Sequence, residues 1–341
     1  MSSAKRTRAA GYRMPAEWEP HEATWIAWPH NRNDWPGRFA PMPWVYAEIV
    51  RKLSAVERVR ILVQDAARET QARRILAKAG ARMEWVEFFR VPTNRVWTRD
   101  YGPLFVKDRG GRVALTRWRF NGWAKYDDCQ RDAAVPPQIA RRLKMPISDG
   151  GMVLEGGSID VNGAGLLLTT EECLLSPVQA RNPGMERGEI ERRLRAYLGA
   201  ERVIWLRNGI AGDDTHGHVD DLARFVAPDT VALASETDRA DVNYDVLAEN
   251  ARILRVAGLR VLKLPMPHPL IFDKRRLPAS YANFYIANGL VLVPTFNDPA
   301  DRFALAALAR SFPDRQVVGI NCTELIWGLG ALHCMTQQQP A

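Results

Sequence analysis

The chain is poor in features that mark several large protein classes. It has 4 cysteines, Cys129, Cys173, Cys322 and Cys334, and no two of them form a CxxC pair. The usual sign of a structural zinc site or a disulfide scaffold is therefore missing. HExxH spacing is also absent. Sparse cysteine in a chain of 341 residues fits a reducing compartment. No block of about five like basic charges occurs, so the formal net charge of +8 reads as a solvated surface, not a nucleic-acid tail. No stretch approaches the roughly 20 apolar residues of a membrane span. The opening MSSAKRTRAAGYRMP has basic residues but no apolar segment behind them, unlike a secretory signal. These absences predict a cytoplasmic protein with no membrane or nucleic-acid partner.

What is present is ample core material. Hydrophobic residues make up 46% and charged residues 25%, enough for one large domain or two smaller ones. Tryptophan is frequent, at 11, and Trp18, Trp25 and Trp28 lie close together near the start. Such rings serve cores, interfaces or pocket walls.

Residues 1–11 read as a loose tail. Residues 14–44 read as ordered but irregular, with one strand at Ala23 to Trp28. Helix, strand, helix, strand follow to Val91. Beyond this an order of elements repeats: two strands across a tight turn, a helix, then a lone strand. Copies fall near 104–147, 152–206, 219–264 and 281–320, with an incomplete unit split between the termini. Ala331 to Thr336 reads as a closing strand. Four to five copies of a unit too small to bury its own core argue for a closed radial arrangement. A doubly wound sheet has one strand per helix instead.

Four stretches put polar residues where apolar ones are expected. WTRDYGP holds Asp100. LEGGS holds Glu155, costly in an apolar run unless paired, beside two glycines that let another group approach. GLGALHCMT holds Cys334 after a glycine-rich loop. The densest is GDDTHGHVDDLARF, Gly212 to Phe225. Read as a strand, its period of two sets His216, His218 and Asp220 on one face. His216, His218 and Cys334 could be zinc ligands, yet their spacing matches no zinc motif. A thiol, a histidine and several carboxylates suit a cationic substrate, whose charge lowers the thiol pKa. A guanidinium fits best, because its planar N–H fork pairs bidentately with carboxylates.

These stretches, with PAEWEPHEATWIAWPHN and SYANFYIANG, resemble the agmatine deiminase group of the bacterial-type peptidylarginine deiminase family, within the guanidine-modifying superfamily. The likeness runs from about residue 12 to the end. It implies an α/β fold, a five-bladed α/β propeller of pentein type with pseudo-fivefold symmetry and repeated ββαβ units, as a single catalytic domain over 12–341. It implies Cys334 as nucleophile, His218 as general acid and base, Asp100 and Asp220 as guanidinium clamps and Glu155 as the partner of His218. Trp97 becomes a pocket wall, and Trp28, His30 and Asn31 a cover over the site. His216 is assigned to the pocket rim or a supporting hydrogen bond.

The implied reaction hydrolyses agmatine to N-carbamoylputrescine and ammonia, toward putrescine, with no cofactor and no metal. The implied partner is a small cationic guanidino substrate, and a homodimer is the family expectation. Departures from the group's pattern surround the substrate tail: Gly328 to Leu332 before the nucleophile, His216, and Thr98 after Trp97. Rival readings are a deiminase of another guanidino compound or peptidyl-arginine, an amidinotransferase, and a non-enzymatic binder of cationic amines.

Overall fold

Runs of branched aliphatic residues form short strands, and capped amphipathic stretches cross between them. In the first sheet, β1 (His21–Ala27), β2 (Arg58–Val63) and β3 (Val86–Arg90) are parallel neighbours. Helices Met42–Leu53 and Ala66–Ala79 connect them, as parallel pairing requires. The second helix starts where the Asp65 side chain accepts from the Arg68 amide. It stops at Gly80, whose φ of 78° is the left-handed geometry of a helix end. The computed structural model describes residues 11–341; the expected loose tail therefore lies, except for Gly11, outside the described residues.

Four further sheets share one plan, an antiparallel pair followed by a parallel third strand. They are β4 (Leu104–Lys107), β5 (Val113–Arg119) and β6 (Ile147–Val153); β7 (Asp160–Val161), β8 (Leu166–Thr170) and β9 (Arg202–Leu206); and β10 (Ala223–Ala227), β11 (Thr230–Ser235) and β12 (Arg260–Pro265). A small hairpin of β13 (Ile271–Phe272) and β14 (Arg275–Arg276) precedes the last set, β15 (Tyr285–Ala287), β16 (Leu290–Thr295) and β17 (Gln316–Asn321). Helices Val135–Leu143, Arg187–Leu198, Asn243–Val256 and Asp301–Ser311 make the four crossovers. Finally β18 (Gln337–Pro340) returns to pair antiparallel with β1, so the first sheet is built from both ends of the chain. The result is a mixed α/β fold made of separate small sheets.

Three expectations shift here. The closing strand is Gln337–Pro340, not Ala331 to Thr336, which leaves Cys334 in a turn before it. Glu155 follows β6 instead of standing inside a strand. The stretch around His218 is not a strand: Gly217 and His216 have φ of 90° and 63°, and Val219–Asp221 is a single 3-10 turn. Period-two alternation fails once the backbone turns.

The corrections share a pattern. Every polar stretch lies in a connection from one sheet to the next, at 91–103, 154–159, 207–222 and 322–336. The fifth connection, 266–284, ends in the buried Tyr281 to Phe284. No helix among the described residues is long and apolar enough to cross a membrane.

Candidate active site

The connections converge on one buried cluster. His218 is fully buried among three carboxylates. Its Nδ1 lies 3.7 Å from Asp100 and 3.9 Å from Asp220, and its Nε2 lies 3.7 Å from Glu155. None of these is a formed hydrogen bond, and both ring nitrogens are unpartnered. Burial disfavours the imidazolium, but the surrounding anions, Asp100 foremost, outweigh it and hold the His218 pKa well above its ordinary value.

The carboxylates divide by what else holds them. Burial raises Glu155, but the buried Arg181, donating through Nε at 2.9 Å, and His218 bring it down to about 2. Arg181 is itself tied to the carbonyls of Gln179 and Thr215. Asp100 accepts from Trp123 Nε1 at 2.8 Å and from the Gly157 amide at 3.1 Å. Burial, helped by Asp220 and Glu155 against the pull of His218, pushes Asp100 up to about 6. Asp220 accepts from His333 Nδ1 at 2.7 Å. That bond overcomes the burial effect and keeps Asp220 below its ordinary range. Gly157 explains the Gly-Gly pair. A Cβ on it would stand 2.6 Å from His218 Nδ1 and 2.8 Å from Asp100 Oδ1. Only a bare backbone lets these groups meet.

Cys334 is 5% exposed, with its sulfur 3.7 Å from Asp220 Oδ2. Burial first, then the charges of Asp220, Asp221 and Asp100, hold its thiol pKa well above the ordinary value. The sulfur and Asp100 both line a cleft walled by Trp97, Trp123 and Tyr126. Gly328 and Gly330 pack against Trp97 so closely that a Cβ on Gly330 would meet its ring at 2.7 Å. The glycine-rich loop before Cys334 is thus the second face of Trp97.

The proposed cover is arranged differently from expectation. Asn33 and Asp34, not Trp28, His30 and Asn31, are the residues of that loop which line the cleft. Trp28 is buried edge-on to Tyr46. His30 bridges the carbonyls of Trp28 and Thr93, and Asn31 donates to the Asn94 carbonyl. These three brace the loop from behind. His216 also leaves the cluster. Its Nε2 is 3.1 Å from Ser176 Oγ and its Nδ1 3.8 Å from Glu172, in a separate surface hollow. The left-handed turn at His216 and Gly217 sends consecutive side chains to different sides.

Residue-type reasoning missed several members of the site. Arg181 sits in a loop with no local signal. Trp123 and Tyr126 follow Asn121-Gly122 in a loop that the sequence does not mark for chemistry. Asn283 lies in SYANFY, a stretch read as strand, and its side chain bridges Asp221 and Cys334. Cys173 is buried, and its sulfur lies within 4.8 Å of ligand atoms of His218 and Glu155. The donors of that trio, and of Asp220, Asp221 and Cys334, are close enough to suggest a metal. In the second set Asn283 already donates to Asp221 Oδ1 and Cys334 Sγ, and in the first Arg181 already donates to Glu155 Oε1. His216 is in neither set, so the zinc trio weighed from the sequence does not form.

Known proteins resemble this chain along nearly its whole length. The agmatine deiminase of Pseudomonas aeruginosa is 38% identical over 98% of this chain and 97% of its own length. The structure of Enterococcus faecalis agmatine deiminase, described as catalysing its reaction, superposes with a TM-score of 0.91 at 32% identity, covering 99% of this chain and 98% of that one. The C. jejuni agmatine deiminase with substrate bound gives a TM-score of 0.90 at 30% identity, covering 97% and 96%. The model of the Porphyromonas-type peptidyl-arginine deiminase family matches residues 13–340. With the match running from the first strand to the last, the chain belongs to that family.

Proposed function

We propose that residues 12–341 act as one catalytic domain that hydrolyses agmatine to N-carbamoylputrescine and ammonia. The observation that carries this is the meeting of Cys334, His218 and the carboxylates of Asp100 and Asp220, with Cys334 and Asp100 lining an aromatic cleft. The five small sheets are read as blades of a closed α/β propeller with pseudo-fivefold symmetry. The convergence of all five connections on one centre supports that reading. The reading also takes the protein as cytoplasmic, with a small cationic guanidino substrate, and as a homodimer.

The cluster suits a cation before it suits a thiolate. In the free protein the anions around Cys334 keep its proton on. A guanidinium between Asp100 and Asp220 offsets that negative charge, and the sulfur then loses its proton to solvent. The thiolate adds to the guanidinium carbon, forming a C–S bond. His218, already held as imidazolium, protonates one nitrogen of the adduct, and ammonia departs as the C–N bond breaks. The remaining alkylthiouronium is attacked by water, which gives its proton to His218. Collapse breaks the C–S bond and frees the thiolate, the adduct's hydroxyl proton passes to solvent as the ureido C=O forms, and the thiolate takes a proton back from solvent when the product leaves. The substrate's surplus proton leaves with ammonia as ammonium. Glu155, fixed by Arg181, orients His218, while Asp100 and Asp220 supply positioning as well as charge.

A second reading is favoured by one observation. Arg95 lines the same cleft, paired with Asp34 and Asp128 at 2.8 Å each. Its Nε has no partner, and that free donor suits a guanidino compound, or peptidyl-arginine, with a carbonyl or carboxylate in its tail. Incubation with agmatine, arginine, blocked arginine peptides and other guanidines, measuring ammonia and ureido product, separates the two. Turnover of agmatine above the others supports the first reading. Turnover confined to another guanidine sinks it and leaves the chemistry standing.

A further inference from the structure

Asn283 reaches the Cys334 turn with both ends of its amide. Its Oδ1 accepts the backbone N–H of His333 at 2.9 Å and of Cys334 at 3.3 Å. Its Nδ2 donates to Cys334 Sγ at 3.1 Å and to Asp221 Oδ1 at 2.9 Å. The residue is 1% exposed. This orientation is dictated by its neighbours. A flipped amide would set NH2 against two backbone N–H donors and an oxygen against the Asp221 carboxylate.

The carboxylates around the sulfur outnumber the one imidazolium, His218, that faces them. Asp220 Oδ2 is 3.7 Å away, Asp100 adds its charge, and His218 and His333 face Asp220, whereas burial and the neighbouring Asp220 hold the Asp221 pKa well above its ordinary value. The Asn283 amide opposes those anions with a neutral donor aimed at the sulfur. An N–H to an ionised acceptor is worth roughly twice an N–H to a neutral one. The bond therefore strengthens when the thiol ionises, and it is present before the substrate arrives.

We propose that Asn283 is a catalytic donor to the nucleophile: it aims the Cys334 sulfur and stabilises its thiolate, while Asp221 holds the amide in place. This rests on Cys334 being the nucleophile. The bond costs no reorganisation at the moment of attack, because Oδ1 pins the same turn that carries the sulfur.

The test measures the thiol itself and does not depend on turnover. Alkylation of Cys334 by iodoacetamide is followed across pH on its own peptide by mass, for the wild type, Asn283→Asp and Asn283→Ser. Asn283→Asp keeps the backbone acceptor and removes the donor; Asn283→Ser removes the donor without adding charge. Both should raise the alkylation midpoint by about one pH unit or more, slowing the reaction about tenfold at a fixed lower pH. The aspartate variant should move further. The kcat of each should fall more than its KM rises. A wild-type midpoint in variants with unchanged melting curves overturns the proposal. Failure of both variants to fold would make Asn283 a scaffold residue and overturn it as well. If Cys334→Ala retains turnover, the nucleophile reading fails on its own, whatever the midpoints show.

Discussion

Two buried clusters of charge share Asp220 and His333 but are built on opposite terms. The first centres on Glu17, whose carboxylate lies 2.9 Å from Arg224, 2.9 Å from His333 and 3.2 Å from Arg99, and accepts the Ile286 amide at 2.8 Å. Arg224 in turn pairs with Asp160 at 2.9 Å and donates to the Phe284 carbonyl. Burial opposes the Glu17 anion, but these cations hold its pKa well below the ordinary value. The second cluster is the site. There, both nitrogens of His218, Glu155 Oε2 and Asp220 Oδ1 have no hydrogen-bond partner. A buried charge is tolerable when satisfied and costly when not. The first cluster, in which only Arg224 Nη2 lacks a hydrogen bond although it lies 2.9 Å from Glu17, reads as a tie between connections, and the second as a place kept ready for a ligand.

The comparison is broken first at the sulfur. Cys334→Ala should lower turnover by about a thousandfold or more while guanidine binding persists, read by ammonia release and calorimetry. Retained activity would remove the nucleophile from the cluster. Next comes Gly157→Ala. Its new Cβ would meet His218 and Asp100 at under 3 Å. A fall in kcat of about a hundredfold with an intact fold by circular dichroism is expected, since small displacements cost that much. Normal kinetics would show that the approach of these groups is not needed.

In the tie, the effect should move from rate to stability. Glu17→Ala leaves Arg224 and Arg99 short of their anion and should cost about 3–5 kcal/mol in urea unfolding. A loss below about 1 kcal/mol would show the network to be dispensable. The smallest effects are in pH. Glu155 has a folded pKa of about 2, below its ordinary 4.5, so its contribution is complete above 4.5 and is lost as pH falls toward 2. Acid unfolding of Arg181→Gln should therefore begin at higher pH than in the wild type. Asp100, raised to about 6, must ionise to hold a guanidinium, so kcat/KM should drop as pH falls through about 6. A flat profile there would remove Asp100 from the clamp.

Much of this was legible in residue order. The unit of two strands, a helix and a strand could be read from apolar runs and turn pairs, because both report local backbone preference. Cys334, His218, Asp100, Asp220 and Glu155 stood out because each interrupted an expected pattern. Arg181, Trp123 and Asn283 did not, since an arginine in a loop, a tryptophan after a turn and an asparagine near a strand are all ordinary. His216 was misplaced for a specific reason. The alternation rule assumes an extended strand, and one left-handed turn at His216 and Gly217 cancels it.

The sequence by itself determined the chemistry on offer: one thiol in a glycine-rich setting, a histidine, several carboxylates and the periodic units to carry them. Tertiary structure decided which of these meet. Asp100 and Cys334 lie in connections far apart along the chain, and β18 pairing with β1 brings the last connection back to the first. Partner, burial and pKa are properties of what surrounds a side chain. Only the folded backbone could make Glu155 an anion fixed by Arg181, Asp100 a carboxylate titrating near 6, and Asn283 the neighbour of the sulfur.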